Sequence, residues 1–437
     1  MTIESVGRDT EAVLKEIQEG IPEGRFPAGV YNDQTIFELE QERVFGKAWS
    51  FLAHESEIPA PGDYVTRYIA DNNIIVARDE EGDIHASFNM CRHRGNMMCK
   101  SEMGNASHFR CSYHGWVYKN SGELIGVPFK EGYEGRLNRK NWGLVKARVA
   151  TYAGLVFGTF DEEAPSLEEY LGGFQFYLDL YLKQGLSGSE VHGPPDHWVT
   201  ETDWKIAAEN FAGDGYHTPV AHQFGFNLGY FPSSGQTHSQ GWAASIPGKG
   251  HGIGLGHTPG MEPFAGFPEE MVEEMKRSLS PEQIEVFSNT RTAVGTVFPN
   301  LSFLMQPLVL KEGEPGIRFV TMRLYHPIGP GRTEMYSWCL VPKDASEEYK
   351  EEAYRAYTLA FAQAGTFEQD DLENWARVTR SAKSSMAKKM VFPYMMGMDS
   401  QPDPEFPGPG HVVKPYVNDS NFRNLWSRWA EYMTGEV

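Results

Sequence analysis

The chain has 437 residues, of which 40% are hydrophobic, 22% charged and 13% aromatic; this suffices for a large core and more than one domain, and excludes collagen-like, disordered and small disulfide-stapled classes. With 39 Lys plus Arg against 59 Asp plus Glu the formal charge is −20, which argues against nucleic acid or an anionic bilayer as partner. The four cysteines are too few for a disulfide framework, and three of them (Cys91, Cys99 and Cys111) crowd among His93, His108 and His114, a grouping that points to a metal.

The first residues lack a basic head followed by an apolar run, and no apolar stretch of about 18 residues occurs, so a cytoplasmic protein without secretory signal or membrane span is expected. Helical spacing of apolar positions predicts helices over 9–19 and 35–49. From Pro61 to about 160, short β-branched and aromatic runs at 64–69, 74–77, 84–88 and 155–160 predict a small all-β domain, with 79–83 as a turn. Beyond about 165 the patterns mix. Strands over 301–309 and 317–326, and a helix over 346–364 with Tyr349, Ala353, Tyr357 and Phe361 on one face, predict an α+β domain. The Gly-, Pro- and Ser-rich segment 228–267 reads as long loops over a site, and its run Gly250–Gly256 misses the dinucleotide-binding spacing and is also read as loop.

Two motifs carry chemistry. Cys91-Arg-His93 and Cys111-Ser-Tyr-His114, separated by 17 residues, put one thiolate and one imidazole on each of two short loops. A Rieske [2Fe–2S] cluster needs that set, two thiolates on one iron and two imidazoles on the other. A structural zinc site is the alternative, but zinc sites usually open with Cys-x₂₋₄-Cys, and a one-residue gap strains chelation of a single ion. Gly95 and Gly115 suit tight turns whose amides can donate to the cluster; Cys99, Cys339 and His108 read as structural.

Downstream, Asp214 and His217 share a face at i, i+3 of a helix or helix-to-turn segment, and His222 follows. Two imidazoles and a carboxylate are the set of non-haem Fe(II) oxygenases. Spacing alone more often means a structural histidine pair than a ligand set; the Rieske-type motif in the same chain favours iron, because a one-electron donor belongs beside an oxygen-activating metal.

These motifs, with Trp204-Lys205, Glu209-Asn210 and the run Phe361-Ala-Gln-Ala-Gly-Thr-Phe-Glu-Gln-Asp-Asp371, resemble the large (α) subunits of Rieske non-haem iron aromatic ring-hydroxylating dioxygenases, the naphthalene and biphenyl dioxygenase group, over nearly the whole chain. The resemblance implies that His217, His222 and Asp371 hold the mononuclear iron. Composition does not distinguish Asp371 from Asp370, Glu368 or Glu373. It further implies that Asn210 lies near the iron beyond bonding distance, and that Asp214 bridges His114 of one subunit to His217 of the next. The implied fold is α+β: an all-β Rieske domain (45–165) inserted between an N-terminal helical part (1–44) and the rest of a helix-grip catalytic domain (166–437). The implied partners are a small β subunit in an α3β3 assembly, a ferredoxin and an NAD(P)H-dependent reductase. Gln363, where proline is usual, and Pro219, which should break a helix between the two histidines, depart from the pattern.

The expected reaction is cis-dihydroxylation of an aromatic ring with O₂. No nicotinamide or flavin motif occurs, so electrons must come from other proteins. Phe211, Phe224 and Phe226 fall near the histidines and Phe361 and Phe367 near Asp371, in stretches free of Lys and Arg; an aromatic-lined pocket suits a neutral mono- or polycyclic hydrocarbon, with ordinary core packing as the alternative for each ring. An aromatic carboxylate (phthalate, terephthalate or salicylate) would need a buried cation, for which Arg291, Arg318 and Arg323 are candidates. A Rieske monooxygenase or demethylase would share every ligand. A pure electron-transfer protein would leave the second domain without a purpose.

Overall fold

The computed structural model describes residues 10–231 and 240–436. Chain contacts divide them into two units: Phe45–Leu167, and the residues up to Val44 joined with those from Glu168 onward.

In the first unit, seven antiparallel strands form one sheet in the order Ser50–His54, Leu155–Thr159, Lys146–Tyr152, Ile84–Phe88, Asn72–Arg78, Asp63–Ile69, Met103–Asn105. Alternation in Asp63–Ile69 turns Val65 and Ile69 inward onto Leu52, Ile74, Val76 and Val156. Each such side chain contributes roughly 1.5–3 kcal/mol by leaving water. A second, three-stranded sheet (His108–Arg110, Val117–Lys119, Leu124–Gly126) has its own core of Phe109, Trp116, Tyr118 and Leu124, into which Cys91 and Cys111 are packed.

The second unit is built on eight antiparallel strands in the order Ser189–Thr200, Arg332–Pro342, Ile317–Gly329, Leu301–Leu308, Thr292–Val297, Gly252–Gly256, Gly241–Ser245, His411–Val413. Every residue of Leu301–Leu308 is buried, so both faces of this central strand are covered. The helix Glu347–Phe361 packs on Ile317–Gly329 and Arg332–Pro342, and the helix Ser420–Thr434 on Gly241–Ser245 and Gly252–Gly256.

The segment 228–267, expected as loops, holds two of these strands; its residues 232–239, like 1–9, lie outside the described residues. The glycines mark close packing rather than a loop. A Cβ on Gly254 would lie 1.9 Å from the Tyr416 ring, and one on Gly252 3.0 Å from Cβ of Asn421. The helix expected over 35–49 is α-helical only over Gln34–Leu39 and continues as a π-helical turn, Glu40–Phe45. There Glu40 is fully enclosed: Lys205 Nζ lies 2.8 Å away, and the indole N–H groups of Trp204 and Trp429 donate to it at 2.9 Å. Lys205 is shared with Asp203 at 2.8 Å, so this buried network joins the residues before the inserted unit to those after it. Removing one member of such a network leaves a charge buried without compensation.

Candidate metal centres and substrate cavity

The two cluster loops have the same backbone. The N–H of Gly95 donates to the Cys91 carbonyl and that of Gly115 to the Cys111 carbonyl, both at 3.0 Å, while the cysteine N–H groups donate to Asn96 and Trp116 carbonyls at 2.8 Å. Both glycines sit in the left-handed region, φ +74° and +73°, where a side chain is strained. The loops bring the His93 and His114 rings to 4.5 Å at 82°, with His93 stacked on Trp116. The Tyr118 hydroxyl accepts from the Arg92 N–H at 3.1 Å, which turns its hydrogen toward Cys91 Sγ 3.5 Å away; Asn96 Nδ2 lies 3.6 Å from Cys111 Sγ. Burial pushes the Cys91 thiol up; at Cys111 burial is outweighed by the N–H groups of Tyr113 and His114, which bring it down. Nδ1 of His93 is buried and makes no hydrogen bond. A buried imidazole nitrogen left open beside two thiols suits a metal–sulfur group.

In the second unit Asp203 caps the helix Trp204–Phe211, and just beyond its end Gly213 turns the chain at φ +126°, where a Cβ would lie 2.8 Å from the Gly254 nitrogen. Asp214 and His217 stand on the turn that follows, not on a helical face. Asp214 Oδ1 accepts from the N–H groups of Tyr216 and His217 at 3.0 and 3.3 Å. Pro219 does not break a helix here; it lies in the first turn of a new short one, Thr218–Ala221, where its missing N–H costs nothing. His222 follows that turn, and Asp371 arrives from the helix Thr366–Ala382.

The three groups converge. Asp371 Oδ1 is 3.4 Å from His217 Nε2 and 3.3 Å from His222 Nε2, and the donor atoms all lie within 4.8 Å of one another. Behind each imidazole stands a second carboxylate, Asp214 Oδ2 at 3.3 Å from His217 Nδ1 and Asp370 Oδ2 at 3.3 Å from His222 Nδ1. Carboxylates at both Nδ1 positions favour the Nδ1–H tautomers, which turn both Nε2 lone pairs toward Asp371. Burial works to raise the Asp371 carboxyl, but the two imidazoles hold it well below the usual carboxylate range. Three inward lone-pair donors suit a divalent cation. Sequence gave Asp370 no part; here it orients His222. Asn210 Nδ2 lies 3.3 Å from Asp214 Oδ2, behind the triad rather than in it.

The triad opens into a cavity lined by Phe211, Phe361 and Phe367, together with Phe231, Val294 and Leu304. Phe224 and Phe226, expected in the pocket, do not line it. They form a layer behind, stacked on Phe367 and packed on Phe231 with centroids 5.4 and 4.5 Å apart. Thr292, Gln306 and Tyr416 also line the cavity and were not anticipated; the alternation of Thr292 with Val294 and of Leu304 with Gln306 on adjacent strands was the available signal. None of the three candidate arginines lines it. Arg323 is ion-paired with Glu368 and donates to the Phe361 carbonyl at 2.6 Å; Arg318 donates to the carbonyls of Ala265 and Thr290; Arg291 lies over the Phe231 ring.

Comparison with known proteins agrees with this geometry. Residues 48–152 match the family model of the Rieske [2Fe-2S] domain, and 177–434 that of the ring hydroxylating alpha subunit (catalytic domain). This chain belongs to the ring-hydroxylating oxygenase α subunits. Among its relatives are the α subunit of N,N-dimethyl phenylurea N-demethylase from Sphingobium sp. (strain YBL2), 34% identical over 96% of this chain and 94% of the relative, and that of biphenyl 2,3-dioxygenase from Rhodococcus jostii (strain RHA1), 34% identical over 98% and 93%. The crystal structure of naphthalene 1,2-dioxygenase from Rhodococcus sp. bound to indole superposes with a TM-score of 0.94 at 43% identity, covering 97% of this chain and 99% of that one. The oxygenase α subunit is thus an oxidoreductase with a Rieske cluster and a mononuclear iron as cofactors, and its subunit type implies a β subunit and electron-transfer partners. Among its described residues no helix is long and apolar enough to cross a membrane.

Proposed function

We propose that this α subunit catalyses cis-dihydroxylation of a neutral mono- or polycyclic aromatic ring, with the iron held by His217, His222 and Asp371 and the cluster by Cys91, His93, Cys111 and His114. The observation that carries the reading is the convergent triad opening directly onto an aromatic-walled cavity with no Lys or Arg among the described residues of its wall. When bound, the iron supplies oxygen activation and the cluster supplies electrons. The chain does the rest. Phe211, Phe361 and Phe367 hold the ring by its faces and edges and keep water from the triad. Asp214 and Asp370 hold the Nδ1 protons and with them the ring orientations. Asp214 is a quarter exposed, which leaves it able to accept a further N–H from His114 of a neighbouring subunit and so couple the cluster to the next triad.

The relatives named as benzene, biphenyl and naphthalene dioxygenases support dioxygenation. The arginines tied to Glu368 and to carbonyls weigh against an aromatic carboxylate as substrate. Electrons would come from NAD(P)H through a separate reductase and ferredoxin, to an α3β3 assembly in the cytoplasm, a reducing compartment that suits four buried cysteines with no disulfide among them. The N-demethylase relative favours one second reading, monooxygenation at an N-methyl group. Naphthalene and biphenyl turned over under ¹⁸O₂ with ferredoxin and reductase separate the two. A cis-diol carrying both labelled atoms is expected; single-atom products from every substrate overturn dioxygenation.

A further inference from the structure

One polar group in the cavity wall has no part in the chemistry above. Gln306 stands two residues from Leu304 on the strand Leu301–Leu308, on the face that looks into the cavity, and is only 7% exposed. Among the described residues its amide makes no hydrogen bond. Its surroundings offer little to make one with. Phe319 pairs with it on one side, Leu304 and Val294 lie along the same wall, and Thr292 lines the cavity from the adjacent strand. Tyr416 also carries a hydroxyl at the wall, but its ring is wedged between Gly215 and Gly254 at the Asp214 end. Gln306 stands on the sheet, whereas the triad comes from the segment around two short helices and from the helix Thr366–Ala382, so a ring in the cavity lies between them.

A primary amide carries two donor hydrogens and an acceptor oxygen. Enclosing it among phenylalanines with nothing bonded to it is unfavourable, and a plain hydrocarbon that displaced water from it would leave it so. A site built to hydrogen-bond a substrate group discriminates against the analogue lacking it, which an apolar wall cannot do as strongly. We propose that Gln306 is a specificity-determining subsite and that the preferred substrate is an aromatic ring bearing a neutral N–H, O–H or carbonyl group on the edge that faces the sheet. This rests on the cavity being the substrate site, as read above, and narrows the substrate from any neutral aromatic to one with a polar edge. Anionic groups do not fit, since among the described residues no Lys or Arg lines the wall.

Indole and indene test it, being bicycles of one shape that differ by an N–H in place of a CH₂. With the iron-loaded holoenzyme, calorimetric titration should give a Kd for indole about tenfold below that for indene, the size expected of one buried neutral hydrogen bond. Gln306→Leu and the unbranched, volume-matched Gln306→Met should each bring the ratio near one by weakening indole while sparing indene. An intact Rieske spectrum and full iron content report that each variant is folded. Equal affinities in the wild type, or a preference for indole that survives in both variants, overturns the subsite. Whether indene is dihydroxylated is read separately, and its failure would count against the reaction, not against the affinity ratio.

Discussion

The two sets of donor groups in this chain are assembled in opposite ways. In the Rieske unit each loop carries its own thiolate and imidazole, and one backbone pattern, a cysteine carbonyl accepting from a left-handed glycine, is used twice. In the catalytic unit no local segment is sufficient: His217 and His222 flank a short helix, whereas Asp371 comes from a helix far along the chain, and the rings are oriented by Asp214 on the turn that carries His217 and by Asp370 beside Asp371. The first set depends on local turns, the second on the packing of the whole unit. Substitutions should therefore damage them separately.

The largest separation is expected from Asp214→Asn. The change keeps size but removes the charge that holds the His217 Nδ1 proton, so both metal sites should stay occupied and the cluster should reduce normally, while product formation falls by about two orders of magnitude or more. Single-turnover assays on pre-reduced protein check this; wild-type rates would remove Asp214 from the electron path. His93→Cys acts on the other side. Replacing an imidazole by a thiolate should abolish the cluster or pull its potential toward the about −400 mV of all-cysteine centres, as redox titration reads, with the mononuclear iron retained.

Lys205→Met probes the long-range assembly. It leaves Asp203 and Glu40 buried without their shared cation, so the catalytic unit should lose about 3–5 kcal/mol in denaturant unfolding and hold its mononuclear iron more weakly, with an unchanged Rieske signal. A smaller effect follows from Glu209, beside Asn210. The Tyr394 hydroxyl donates to it at 2.9 Å and the Trp426 indole N–H at 2.5 Å, but burial dominates and pushes its carboxyl up to about 8. The folded state thus holds a proton that the unfolded chain releases near pH 4.3, and stability from this group is full below that pH and is lost as pH rises through about 8. Glu209→Gln should flatten the fall of Tm across that window; an unchanged slope would show that another group sets it.

The same contrast explains what could be read in advance. The strands Leu301–Leu308 and Ile317–Gly329 and the helix Glu347–Phe361 follow from local periodicity, and the Cys-x-His and Cys-x-x-His loops from local spacing. Tertiary contacts decided the rest. Gly252–Gly256 looks like a loop until Tyr416 and Asn421 are seen to need its missing side chains. Periodicity does not separate Asp370 from Asp371; only the position of the two imidazoles gives the adjacent carboxylates different partners. Phe224 and Phe367 are alike as sequence, yet one lines the cavity and the other backs it.

The central claim, that the catalytic unit holds its own iron independently of the cluster loops, is tested most directly by counting metal in Asp371→Ala. The wild type should contain about three irons per chain and the variant about two, with an unaltered reduced Rieske resonance and no diol product. An iron count unchanged by the substitution, or loss of the Rieske resonance together with the third iron, would contradict it.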